Sequence, residues 1–106
     1  MMAVVRFRAP DGGAERLRAD LDQVRTLFGQ LPGHVDTRIG RSLDEPELWV
    51  LVSRWENVGS YRRALSSYQG KYHIAPVLGR AVDEPSAYED AGPGAELNQA
   101  GSRSLG

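Results

Sequence analysis

The chain is 106 residues long with 13 Lys+Arg against 14 Asp+Glu, a formal charge of -1 at pH 7, and no Cys. That length holds one domain, and the near-neutral charge gives no field to attract nucleic acid or an anionic membrane surface. Without Cys there are no disulfides, thiol nucleophiles or Fe–S clusters, which fits a cytoplasmic protein.

The N-terminal segment Met1 to Arg8 has an apolar run too short for a signal-peptide core, and no stretch approaches the roughly 18 apolar residues of a membrane span. From Ala3 to Arg8 the residues alternate: Ala3, Val5 and Phe7 fall on one side, Val4, Arg6 and Arg8 on the other. This is strand periodicity. Pro10-Asp11-Gly12-Gly13 ends the strand as a turn. Between Ala14 and Leu31 the apolar residues Leu17, Leu21, Val24, Leu27, Phe28 and Leu31 recur at helical spacing, predicting an amphipathic helix stopped by Pro32-Gly33.

His34 to Arg41 alternates again, with Val35, Thr37 and Ile39 opposed to Asp36, Arg38 and Gly40. After the loop Ser42 to Pro46, the run Leu48 to Trp55 is apolar at both parities: Leu48, Val50 and Val52 on one face, Trp49, Leu51 and Trp55 on the other. A strand of that kind needs cover on both sides. Asn57 is an N-cap for a second helix, in which Val58, Tyr61, Leu65, Tyr68 and Tyr72 form a single expected inward stripe. Gly70 loosens that helix, a short further turn breaks near Pro76, and Ser86 to Glu89 is an expected last strand.

The predicted fold is therefore α+β and ferredoxin-like, βαββαβ with an antiparallel sheet, over residues 1–90; residues 91–106 are expected to be a disordered tail. Two helices cover one sheet face only, so the second apolar face of Leu48 to Trp55 predicts a homodimer.

Leu31-Pro32-Gly33 after the first helix, Asp44-Glu45-Pro46 before an apolar strand, and Arg54-Trp55-Glu56-Asn57 leading into Ser60-Tyr61-Arg62-Arg63-Ala64-Leu65 together resemble the antibiotic biosynthesis monooxygenase family over residues 3–89. The resemblance implies a dimeric α/β barrel with a small pocket between sheet and helices. It also implies one of several activities: cofactor-free oxidation of phenolic polyketides by O₂, haem degradation, action on small quinones, or none at all. Many relatives carry a His where Ala64 stands here, and the haem degraders an Asn in the first strand where this chain has Arg6, Phe7 and Arg8. Those departures weaken the haem reading, for which His73 is the remaining counterpart.

The candidate catalytic residues are His73 and Tyr68 for proton transfer and Arg54 for charge; Trp49, Trp55, Tyr61 and Tyr72 are the candidate aromatic walls for a small hydrophobic aromatic ligand. His73 could equally be a surface residue, the tyrosines core residues, and the strand arginines partners of Asp36, Glu47 or Glu56. His34 is assigned to flanking a turn. No phosphate loop, nucleophile elbow or metal signature is present, and no cofactor is expected. The function expected is oxidation of a small phenolic substrate by O₂, with a non-enzymatic ligand-binding module and a haem-binding protein as alternatives.

Overall fold

The structure is a computed structural model that describes residues 1–97. Strands β1 (Met2–Arg8), β2 (His34–Arg41), β3 (Leu48–Trp55) and β4 (Ala87–Tyr88) form one antiparallel sheet in the order β2-β3-β1-β4. Helices α1 (Ala14–Phe28) and α2 (Val58–Ser66) follow β1 and β3, and a π-helical turn, Gly70–Ile74, runs into α3 (Ala75–Leu78). This is the ferredoxin-like order expected from the sequence.

Alternation in β1 and β3 decides which face packs. Ala3, Val5 and Phe7 pair in register with Ser53, Leu51 and Trp49 and are buried under the helices, together with Trp55. Leu17, Leu21, Val24 and Phe28 of α1 supply the facing apolar stripe. The opposite sheet face presents Val4, Leu48, Val50 and Val52, only half-buried, fringed by Arg6, Arg38 and Arg54. Helix α1 ends at Phe28, before Leu31, and the chain turns through Gly29 and Gln30.

Gly33 explains why the Pro-Gly turn is specific. It lies at φ +86°, and a Cβ there would meet the Ser60 Oγ at 2.2 Å. The turn is docked on the start of α2, with the Glu56 N–H donating to the Gly33 carbonyl at 2.8 Å, and Asn57 caps that helix by accepting from the Ser60 N–H at 2.8 Å.

Two expectations are corrected. In β2 a bulge between His34 and Asp36 turns Val35 outward and puts His34, with Thr37 and Ile39, on the helix-covered face. The second helix is not one continuous stripe. It stops at Ser66, and Ser67 takes an extended backbone (ψ 170°) while its hydroxyl donates to the Ala64 carbonyl and accepts from the Gly70 N–H. The π-turn that follows inserts a residue and rotates the succeeding side chains about 100° around the axis. Tyr68, just after the break at Ser67, and Tyr72, within the π-turn, point outward at 68 % and 63 % exposure, and Ile74 and Val77 are buried instead. Gly70 is required at the joint, because a Cβ there would lie 2.1 Å from the Ala64 carbonyl oxygen. Pro76 sits in the first turn of α3, directly after the π-turn, where the Ala75 N–H still donates to the Gly70 carbonyl.

Beyond Tyr88 the chain makes a turn in which the Ala95 N–H donates to the Gly92 carbonyl; the remainder of the predicted tail, 98–106, lies outside the described residues.

Candidate active site

The seven residues singled out from the sequence occupy four separate places. Trp55 and Tyr61 are inside the helix-covered layer, 2 % and 7 % exposed. Phe28 meets Trp55 edge-on at 5.0 Å between ring centroids, Tyr61 lies 5.6 Å from Trp55, and His34 approaches the same indole edge-on at 5.1 Å. These separations are the ordinary range for aromatic pairs in a packed core. The polar atoms of the cluster are largely satisfied: the Trp55 Nε1 donates to the Ser53 Oγ at 2.9 Å, and the His34 Nε2 lies 2.6 Å from the Thr37 Oγ1. Burial lowers the His34 pKa against the opposing pull of Asp36, so the ring is neutral at pH 7.

Tyr61 is the member of this cluster that also borders open space. It lines a cleft of about 340 Å³ together with Val5, Arg6, Leu78 and Glu84. The size is at the small end of ligand sites, which run about 300–1,000 Å³. Its hydroxyl has no hydrogen-bond partner among the described residues. Burial raises the phenol's pKa above its ordinary value, so Tyr61 remains protonated near neutrality and acts as a donor, not as a base. At the rim, the Arg6 guanidinium clasps Glu84 through two contacts, Nε–Oε2 at 2.7 Å and Nη2–Oε1 at 2.6 Å. That contact, chiefly its hydrogen bonds, holds Glu84 below the usual carboxylate range and Arg6 above the usual arginine one.

The other candidates lie elsewhere. Tyr68, Tyr72 and His73 form an exposed trio on and beside the π-turn, with ring centroids of Tyr68 and Tyr72 4.9 Å apart and His73 6.0 Å from Tyr68. Arg54 is on the sheet face away from the helices, donating to both Asp36 oxygens at 2.9 and 2.5 Å. Ion pairing is thus what occupies Arg54 and, through Glu47, Arg8. Trp49, 7 % exposed, stands at the far end of β3 from Trp55 and borders a different cleft. His34 reads as a turn-flanking residue because it follows Pro32-Gly33, and no residue in the sequence announces the bulge that turns it toward the helices. Glu84 was missed because it lies in a connecting segment with no periodicity of its own.

No helix among the described residues is long and apolar enough to cross a membrane, and no group of three metal-ligating side chains is found among them.

Similar folds occur in proteins of several organisms. A Deinococcus radiodurans protein, assigned provisionally to the antibiotic biosynthesis monooxygenases, superposes with a TM-score of 0.72 at 17 % identity, covering 92 % of this chain and 97 % of its own. SnoaB, a cofactor-independent oxygenase from Streptomyces nogalater, gives 0.67 at 21 % identity over 76 % of this chain and 82 % of its own. Rv0793 from Mycobacterium tuberculosis gives 0.59 at 24 % identity over 93 % and 96 %. In sequence, the chain is 25 % identical over 67 residues to a 42.8 kDa protein of the whiE locus of Streptomyces coelicolor; the match takes in 63 % of this chain and spans only 17 % of that relative's length. The model of the antibiotic biosynthesis monooxygenase family matches residues 1–74, a span running from β1 through the π-turn and including Trp55 and Tyr61, and the chain belongs to that family.

Proposed function

We propose that this protein is a cofactor-independent monooxygenase that oxidises a small aromatic or phenolic compound with O₂ in the cleft beside Tyr61. The observation that carries the reading is the Tyr61 hydroxyl: a protonated donor with no protein partner among the described residues, in a small cleft whose lining also includes the paired Arg6 and Glu84. Family membership and the fold shared with a cofactor-independent oxygenase support it.

O₂ reacts slowly with closed-shell molecules, so a protein acting without flavin or metal has to make its substrate a better electron donor. A hydrogen bond from Tyr61 to the oxygen of a phenol or enol favours the anionic form of such a substrate. The proton leaves to water in the open cleft. The anion then gives electrons to O₂, and an activated ring methylene becomes a carbonyl: one oxygen atom enters the product, the other leaves as water with the two methylene hydrogens. Val5 and Leu78 supply the apolar wall, and the Trp55–Phe28 stack behind Tyr61 fixes its ring. In this reading Arg54, Tyr68 and His73 lie outside the chemistry.

The same reading takes the protein as a homodimer in the cytoplasm, two copies covering each other's Val4, Leu48, Val50 and Val52. Such an arrangement would give a solution mass of twice 11.6 kDa by light scattering.

The activity is tested by incubating purified, metal-free protein with an anthrone under O₂ and following quinone absorbance and oxygen uptake. One O₂ consumed per quinone formed, at a rate well above the protein-free control, is the expected result. Binding of the anthrone with only the background rate would identify a ligand-binding module without oxygenase activity.

A further inference from the structure

The larger cleft, at the opposite end of β3, carries no part of the chemistry above. Trp49 and Trp55 point to the same sheet face but stand six residues apart, roughly 20 Å along an extended strand. Trp49 borders a groove of about 740 Å³ between α1 and the end of β2. Ala19, Ile39, Gly40 and Arg41 are among its lining residues, and Arg41 pairs in register with Trp49, which puts the two side chains on the same sheet face.

Three arginines reach this groove, Arg18 and Arg25 from α1 and Arg41 from β2. Asp22 neutralises Arg25 through a direct ion pair. Arg18 and Arg41 have no carboxylate within ion-pair distance among the described residues, and the Arg41 guanidinium lies over the Trp49 ring, 5.6 Å from its centroid. Glu15, the other acid on the rim, makes no ion pair with either. The indole itself is 7 % exposed, yet its Nε1 is the one buried side-chain polar atom without a hydrogen-bond partner among the described residues. Leaving a buried N–H unmade costs about 1–3 kcal/mol, and natural structures rarely tolerate it without a role.

We infer that this groove is a second binding site, for a flat aromatic carboxylate. Its ring stacks on the outer plane of the Arg41 guanidinium above Trp49, its carboxylate is held by Arg18, and the buried indole N–H beneath reports the occupancy. A planar fork of guanidinium donors matches a carboxylate in geometry as well as charge. A cationic plane on an aromatic ring extends as a stack when a flat anion is added. A neutral aromatic gains only the stacking.

The probe is 2-naphthoate, titrated into ¹⁵N-labelled protein while the two indole N–H resonances are followed, with 2-naphthalenemethanol as the neutral control. The Trp49 indole signal is expected to shift saturably with 2-naphthoate and the Trp55 signal to stay in place, and the neutral analogue to bind at least tenfold more weakly. Arg18→Gln and Arg41→Gln, both surface changes, are each expected to weaken naphthoate at least tenfold, and Tyr61→Phe to leave it unchanged. No shift of the Trp49 indole at millimolar naphthoate overturns the proposal. So does affinity unaffected by both arginine changes, or a response confined to Trp55 and lost in Tyr61→Phe, which would place the anion in the other cleft. Failure here leaves the Tyr61 reading standing, because that reading is tested by oxygen uptake.

Discussion

Two aromatic groups stand only a few residues apart in the chain and meet opposite fates. Trp55 and Tyr61 are packed against Phe28, with Tyr61 at the edge of the cleft, whereas Tyr68 and Tyr72 lie against each other in solvent. Residue type does not separate them, and neither does spacing, since Tyr61, Tyr68 and Tyr72 fit one helical stripe. The difference is made at Ser67, where the helix breaks, and in the π-turn after it, where the phase changes. An aromatic stripe marks a pocket only as far as the helix carrying it is continuous.

The largest expected effect that sharpens this contrast is in the packed group. Trp55→Ala removes an indole that is fully buried and touched by three other rings, and is expected to cost about 3–5 kcal/mol in denaturant unfolding. A cost below about 1 kcal/mol would mean that the cluster is not the packed centre described above.

His34 supplies a smaller, pH-dependent effect. Its folded pKa is lowered by burial, so the unfolded chain binds the proton more readily and protonation favours unfolding. Its contribution is complete above the unfolded value of about 6.5 and is lost as pH falls from there through the depressed folded value. His34→Gln is expected to flatten that part of the stability–pH curve, measured as midpoint temperature against pH. An unchanged slope would show that His34 titrates as it does in the unfolded chain.

The smallest effect belongs to the exposed trio. Tyr68→Ala and Tyr72→Ala are each expected to change stability by no more than about 0.5 kcal/mol, the range of ordinary surface substitutions. A loss above about 2 kcal/mol for either would mean that the trio is covered in the working protein.

Much of the fold was legible in the sequence. Alternation in Ala3 to Phe7 and at both parities of Leu48 to Trp55 fixed the sheet faces, and Asn57 marked the start of α2. The site was legible only in part. Trp55 and Tyr61 face inward as expected because they lie within continuous elements, where period alone predicts direction. Tyr72 and His34 depart from expectation for a common reason, since a π-turn and a β-bulge each add one residue, and one residue reverses a strand's face or turns a helix by about 100°; Tyr68 departs because the helix breaks at Ser67 just before it. Arg54 is a different case. Strand register, which the sequence does not give, sets it opposite Asp36, the partner expected for it if it is ion-paired.

The central claim is that the chemistry belongs to Tyr61 and not to the exposed trio, and the direct measurement is kcat/KM for anthrone oxidation in Tyr61→Phe, Tyr68→Phe and His73→Ala beside the wild type. A hydrogen bond to an anionic oxygen is worth about 1.5–3 kcal/mol, so Tyr61→Phe is predicted to lose roughly tenfold to 150-fold while the other two stay within about twofold of wild type. Full activity in Tyr61→Phe, with loss in Tyr68→Phe or His73→Ala, would contradict the account.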